Sequence, residues 1–531
     1  MTIEITGQNI IAGQVVANGA GTFQAVNPAT SKTTSYTFHE ATFKSVDVAA
    51  TAAAEAFDVL RNTSAEQRAI FLETIAAEIE ALGDTLLEAA NEETALGLPR
   101  LTGERGRTTG QLRAFATLLR EGSFVDAIID TAQLDRQPTP RSDIRRMSFP
   151  IGVVAIFTPN NFPFAFGVLG GDTASALAAG CPVIVKGHPS HPASNELFAI
   201  AINRAIAKTG FPAGTFSLLQ GSGIDIGQYL VKQAVLRAVA FTGSLKGGRA
   251  IFDTAAYRPH PIPVFAEMGS INPVALLPKA ILQGGDSLAD NLVNSVTLGS
   301  GQFCTNPGLI FLLDNADSNA FIETVSEKMQ AKQAGTLLNS GVKQYLEANV
   351  STTMGKDSVQ IKTGGSIVED ARICYENTVM QTSAQAFIDD ADLQREHFGP
   401  VTLFVLCQSL DEMKAAFQTL EGNLTATIHA ADDELKTATK LFDVLREKAG
   451  RLLLNGFPTG VEVVQSMVHG GPYPATTASG TSSVGMTAIR RFLRPIAFQN
   501  MPDSMLPEAI QNANPLNIWR IVDGEYTKDS L

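Results

Sequence analysis

Apolar residues along the chain follow two different rhythms. From Ser45 to Glu121 they recur three and four residues apart, through "SVDVAATAAAEAFDVL" and "SAEQRAIFLETIAAEIEALGDTLLEAANEET". That is the period of helices with one buried face. Ser64 with Gln67 three residues later is the pattern of a capping box and predicts a helix start there. From Met147 the texture changes to short apolar runs separated by turns and helical stretches. "VVAIF", "CPVIVK", "TFSLLQG", "LRAVAFTGS" and "IPVFAEMG" read as strands. A helical stretch ending at Ala179, "ASNELFAIAINRAIAKTG", "IGQYLVKQ" and "GGRAIFDTAA" read as the helices between them. Continuous apolar runs suit strands covered on both faces. The alternation predicts an α/β fold, a doubly wound parallel sheet with right-handed crossovers. Ligand sites in such sheets lie beyond the carboxyl ends of the strands. A second α/β stretch begins near Asn272 and runs to about His469, with strand candidates "GLIFLL", "TLFVLC", "TATIHA" and "RLLLN". The N-terminal part, to about Phe38, reads as a short hairpin arm. The tail from Tyr473 is rich in Pro, Ser and Thr and holds one basic β-like segment, "AIRRFLRPIAFQN".

Composition narrows the function classes. The chain has 531 residues, enough for three or four domains or lobes, and 44% of them are hydrophobic. A net charge of −13 argues against nucleic-acid binding, which needs a basic footprint. Arg490, Arg491 and Arg494 form too short a cluster to change that. Four cysteines are too few for a disulfide framework and point to a reduced compartment, in which a single Cys can be catalytic. The first basic residue is Lys32, and no secretory pattern precedes it. A long uncharged stretch between Arg146 and Asp172 contains Pro150, Pro159, Asn160, Asn161 and Pro163, which would leave backbone groups unsatisfied in lipid. A cytoplasmic chain with no membrane span is expected, and that stretch is a candidate active-site wall. No phosphate-binding loop, zinc-protease helix or serine elbow is present. "GSGIDIG" places Gly221, Gly223 and Gly227 one residue off the dinucleotide fingerprint, so a plain strand-to-helix turn reads it equally well. His188 and His191 are each followed by proline and lack a completing Cys or carboxylate, so no metal site is expected.

Four residues carry candidate chemistry. Cys304, in "GSGQFCTNPG", sits in a Gly- and Pro-flanked loop, unlike Cys407 in the apolar run "LFVLCQ". It is either a reactive thiol or a small loop hydrophobe. Glu267 follows a strand, where a carboxylate can serve as a general base or simply face solvent. Asn161 ends the first buried strand, as an oxyanion donor or as an ordinary turn residue. Lys186 ends the second, placed for a ribose or phosphate or merely snorkelling.

The segments "TPNNFPFAF", "AAGCPVIVKGHPSHP", "AVAFTGSLKGG", "EMGSINPV", "GQFCTNPG" and "EHFGPV", in this order and spacing, resemble the aldehyde dehydrogenase superfamily across essentially the whole chain. "LTGERGRTTGQLR" and "TSSVGMTAIRRFLRPIAFQNMP" are similar to the branch of α-ketoglutaric semialdehyde dehydrogenases, which also includes NADP-preferring fatty aldehyde dehydrogenases. The resemblance implies Cys304 as nucleophile, Asn161 as oxyanion donor with the Cys304 backbone N–H, and Glu267 as the base for thioester hydrolysis. It also implies cofactor contacts at Pro159, Lys186, Ser190, Gly243, Ser244, Glu396 and Phe398. Residues 1–136 and 151–266 would form the dinucleotide-binding domain, 267–469 the catalytic domain, and 137–150 with 470–531 the oligomerisation arm and tail of a homodimer or homotetramer. Two departures stand out. Pro189 occupies the position where many NAD-preferring members carry a glutamate, and no acid occurs from Lys186 to Ser194. With Lys186, His188 and Ser190 nearby, NADP is the expected cofactor, NAD remaining possible. "EMGSI" also replaces the usual "ELGGK". The expected reaction is oxidation of an aldehyde, α-ketoglutaric semialdehyde first. The alternatives are a general or fatty aldehyde dehydrogenase, an acylating enzyme, which Glu267 argues against, and a non-catalytic binding protein.

Overall fold

The structure is a computed structural model that describes residues 4–16 and 21–531. Four helices open the chain: α1 (Phe43–Leu60), α2 (Ala65–Ala81), α3 (Gly83–Thr94) and α4 (Leu98–Glu121). The capping box is present at α2, where the Gln67 N–H donates to Ser64 Oγ and the Ser64 N–H donates to Gln67 Oε1. α4 begins with Pro99 in its first turn and ends at Gly122, which has a left-handed φ of 88°. It crosses α2 and α5 (Gly171–Ala179) and runs alongside the loop that follows strand Val153–Phe157.

The first sheet has the strand order 264–267, 236–242, 153–157, 183–186, 216–219, 9–11, 14–16. The first five strands in this order are parallel. The N-terminal hairpin adds antiparallel at the edge, pairing Ile10 with Leu218. Side chains alternate between two cores, as the pleat requires. Val154 and Ile156 enter one core, and Val153, Ala155 and Phe157 the other. The chain starts in the middle at 153–157, builds outward through 183–186 and 216–219, then crosses back to 236–242. The order therefore reverses beside strand 153–157, and a crevice opens there at the carboxyl ends.

The second sheet has the order 360–363, 378–383, 401–407, 309–313, 274–276, 423–429, 449–454, and every pairing is parallel except that of 360–363 with 378–383. Leu309 and Phe311 face one core, Ile310 and Leu312 the other. A five-stranded sheet joins Ile144–Pro150 to Leu493–Gln499 antiparallel, and continues through 128–130, 520–522 and 525–527.

The pattern misjudged some elements. The helix ending at Ala179 begins only at Gly171; residues 162–170 form tight turns. The backbone closes on itself there so tightly that a Cβ on Gly167 would lie 1.8 Å from the Pro163 carbonyl oxygen. Strands 274–276 and 378–383 carried no signal of their own. Among the described residues, no helix is long and apolar enough to cross a membrane.

Candidate active site

A cleft of about 590 Å³ opens at the reversal point of the first sheet. It is lined by nine of the ten residues singled out from the sequence: Pro159, Asn161, Ser190, Gly243, Ser244, Glu267, Cys304, Glu396 and Phe398. Lys186 is the exception. It lies buried behind the cleft wall, its Nζ donating to the carbonyls of Gly187 and Gly221.

Cys304 lies just past a sharp loop. Gly301, at φ 69°, approaches the backbone of Gly399 so closely that a Cβ would lie 2.0 Å from its carbonyl oxygen. Asn272, itself in the left-handed region at φ 49°, donates from Nδ2 to the carbonyls of Cys304 (2.8 Å) and Asn306 (2.9 Å). A strained non-glycine residue gripping the loop of a candidate nucleophile is strain at a functional position. From the other side, Asn161 Nδ2 donates to the Gln302 carbonyl at 3.0 Å. This takes one of its two amide hydrogens and leaves the second for a ligand.

Cys304 Sγ lies 3.5 Å from His469 Nε2, and the same nitrogen lies 2.9 Å from Glu267 Oε1. Ser483 Oγ donates to Glu267 Oε2 at 2.5 Å. The ligating atoms of Cys304, His469 and Glu267 all fall within 4.8 Å of one another, and the His469 and Glu267 side chains are 1% and 3% exposed. Burial pushes the Glu267 carboxyl up, but the charge and hydrogen bond of His469 and the bonds from Ser483 and Cys304 outweigh it and hold it below the usual range. The Cys304 thiol is held well above its usual value by burial and the charges of Glu267 and Glu396, with Arg107 acting the other way. At rest the site therefore pairs a neutral thiol with an ionised carboxylate. His469 Nε2 serves one partner at a time: protonated, it donates to Glu267; unprotonated, it accepts from the thiol.

The side of the cleft where the sequence expects the cofactor is quieter. Ser244 caps helix Leu245–Ala256, its Oγ accepting from the Gly247 N–H, so the positive end of that helix borders the cleft. Glu396 is raised to about 7 by burial, against one bond from the Ser270 N–H. Burial lowers Lys186 to about 8, opposed by the charge of Glu40. Here the sequence-based electrostatics need correction. His188 is driven well below its usual value by burial, His191 and Lys186, so it is neutral and adds no cation. Ser190 Oγ accepts from Asn339 Nδ2. An acid from outside the 186–194 segment does act on Lys186: Glu40, held by the backbone and hydroxyl of Ser222.

Sequence reasoning passed over His469, Ser483, Asn272 and Arg107. His469 stands in an uncharged Gly/Pro/Thr stretch, 165 residues from Cys304 and 202 from Glu267. Its one local signal is the pair of glycines that follows it.

A thiol and a buried carboxylate at the mouth of a doubly wound crevice are a set that can form a covalent bond to a substrate beside a nucleotide. The chain belongs to the aldehyde dehydrogenase family, whose sequence profile matches residues 15–490. It is 47% identical to alpha-ketoglutaric semialdehyde dehydrogenase 2 of Azospirillum brasilense over 98% of this chain and 100% of that one. It is 42% identical to alpha-ketoglutaric semialdehyde dehydrogenase of Acinetobacter baylyi over 99% and 100%. Among solved structures, betaine aldehyde dehydrogenase from Staphylococcus aureus in complex with NAD+ shares the fold, with a TM-score of 0.79 at 21% identity over 94% of this chain and 96% of that one. The protein is an aldehyde dehydrogenase that uses NAD(P).

Proposed function

We propose that this enzyme oxidises α-ketoglutaric semialdehyde to 2-oxoglutarate, with NADP as cofactor and NAD also accepted. The observation that carries the reading is the Cys304–His469–Glu267 cluster at the end of the dinucleotide cleft, in a chain so similar over its full length to two enzymes of that name. The cleft fits a dinucleotide: a capped helix end faces it, and Lys186 stands behind its wall. When bound, the nicotinamide accepts hydride from the substrate.

The chain's own residues do the rest. In the state in which His469 Nε2 carries no hydrogen, Cys304 attacks the aldehyde carbon as its proton passes to that nitrogen. The oxyanion accepts from the Cys304 N–H and the second amide hydrogen of Asn161. After hydride loss the acyl group is a thioester on Cys304. Glu267 takes a proton from the water that attacks it, the C–S bond breaks, and the proton returns through His469 to the departing thiolate. In this reading residues 1–136 with 151–266 hold the dinucleotide, and 267–469 hold the thiol. Residues 137–150 with 470–531 make the contacts of a homodimer or homotetramer.

The test is a panel of NADPH and NADH formation with α-ketoglutaric semialdehyde, succinic semialdehyde, glycolaldehyde and a long-chain aldehyde. The highest kcat/KM is expected with α-ketoglutaric semialdehyde and NADP. A best rate with the long-chain aldehyde sinks the substrate reading. NADP failing to outperform NAD sinks the cofactor preference, in which Pro189 weighs against Glu40.

A further inference from the structure

Three residues on one face of α4 point at the active-site loops: Arg100, Glu104 and Arg107, at positions i, i+4 and i+7. Two of them are occupied. Arg100 Nη2 donates to the Asn161 carbonyl at 2.7 Å, and its guanidinium carbon sits 4.9 Å from the ring centres of both Phe162 and Phe303. Glu104 Oε1 accepts from the backbone N–H groups of Phe164 and Ala165 at 2.8 and 3.0 Å. These two hold the loop that carries Asn161.

Arg107 holds nothing. Its Nε and Nη2 are buried and have no hydrogen-bond partner. Its guanidinium carbon lies 5.5 Å from the ring centre of Phe166, and that ring is 6.3 Å from the ring of His469, the neighbour of Cys304 Sγ. Its charge acts on Cys304, Glu267, Glu104 and Glu462, yet among the described residues no carboxylate lies within ion-pair reach of it.

Nε and Nη2 form the side edge of a guanidinium, and this chain shows what that edge takes. In Arg120 it grips Glu66, in Arg145 Asp143, and in Arg372 Asp370, each through both nitrogens to one carboxylate. Arg107 carries the same edge, buried and with no carboxylate on it, beside the Phe166 ring that adjoins His469. A buried, unpaired guanidinium edge is costly unless a ligand completes it. Arg451, the other arginine whose charge acts on Cys304, has both Nη atoms bound to the carbonyls of Gly460 and Pro458. Its Nε also lacks a partner, but with Nη2 on the Pro458 carbonyl only one nitrogen of its side edge is open, against two in Arg107.

We propose that Arg107 is the residue that selects carboxylate-bearing aldehydes, its Nε/Nη2 edge gripping the substrate's distal carboxylate while the aldehyde carbon reaches Cys304. The choice of α-ketoglutaric semialdehyde among such substrates rests on the function proposed above; the anchor itself requires only a carboxylate at the far end.

The experiment compares wild type, Arg107→Met and Arg107→Lys on α-ketoglutaric semialdehyde, succinic semialdehyde and the uncharged pentanal and butanal. For Arg107→Met, the ratio of kcat/KM on charged to uncharged aldehydes is expected to fall about 100-fold, mainly through KM of the charged ones, while the loss of its charge near Cys304 lowers kcat on both sets alike. Arg107→Lys, which keeps the charge but loses the fork, should fall about 10-fold on the charged set alone. Competitive inhibition by 2-oxoglutarate should weaken in parallel. Equal losses on charged and uncharged aldehydes, or no loss on either, overturn the anchor. If Arg107→Met does not fold, Arg107→Lys decides: unchanged charged-to-neutral selectivity overturns it. A wild type that prefers succinic semialdehyde, with that preference lost in Arg107→Met, overturns the α-ketoglutaric semialdehyde reading and leaves the anchor standing.

Discussion

One wall of the cleft, where we propose the dinucleotide lies, includes the turn after Phe157, the Gly243–Ser244 turn and the end of helix Leu245–Ala256. The opposite wall presents two side chains, Cys304 and Glu267, with His469 and Ser483 bonded to them from behind. The difference appears in their titration. On the cofactor side burial prevails: His188 is neutral, Lys186 falls to about 8 and Glu396 rises to about 7. On the thiol side Glu267 is as buried as these, yet its partners hold it ionised. Burial alone does not set a protonation state; the groups that replace water do. Thiol-wall changes should therefore strike the chemistry, and cofactor-wall changes should shift binding.

The largest effect is expected at the nucleophile. Cys304→Ala should cut turnover by about 10⁴-fold or more while dinucleotide binding, read by fluorescence titration, stays intact. Substantial residual turnover would remove the thiol from the mechanism.

Next come the partners of that thiol. Glu267→Gln should slow hydrolysis by about 10²–10³-fold, so that an acyl-enzyme accumulates and shows in intact-mass spectra. An unchanged steady state with no trapped adduct would count against the base. His469→Phe should lower kcat by roughly 10–100-fold. The sign of its pH effect follows from the coupling. His469 contributes most to lowering the Glu267 pKa, and burial alone raises it, so the acid limb of the kcat profile should move to higher pH. An unmoved limb would uncouple the two residues.

The smallest effect belongs to the cofactor wall. Lys186 loses its charge as pH rises through about 8. kcat/KM for the dinucleotide should therefore decline above that pH, and Lys186→Met should abolish the decline at about a tenfold cost in KM. Glu40 raises the pKa of Lys186, so Glu40→Ala should move the decline to lower pH. A loss of kcat in Lys186→Met as large as that in Glu267→Gln would erase the distinction between the walls.

The cofactor wall was legible because a strand and the turn after it are contiguous in sequence. "VVAIF" followed by Thr158–Asn161, and "AVAFT" followed by Gly243–Ser244, announce a carboxyl-edge site without any knowledge of the partner strands. Glu267 and Cys304 stood out as candidates for a local reason, a strand end and a Gly-rich loop, and the family resemblance implied their roles. Asn272 gave no such signal, because its role depends on reaching the carbonyls of Cys304 and Asn306. Glu40 and Arg107 were hidden in the same way: each matters through a group far along the chain, Lys186 for one and the thiol cluster for the other.

The sequence by itself determined the α/β architecture and the strand ends that form the crevice, and it offered a thiol, a carboxylate and an amide as candidates that the fold gathers at one cleft. Periodicity and turn chemistry act over a few residues and can be read there. The tertiary structure alone decided that His469 stands between Cys304 and Glu267, that His188 is neutral, and that Arg107 keeps an empty edge beside them. Desolvation and hydrogen bonding depend on which distant segments displace water from a group, and packing sets that.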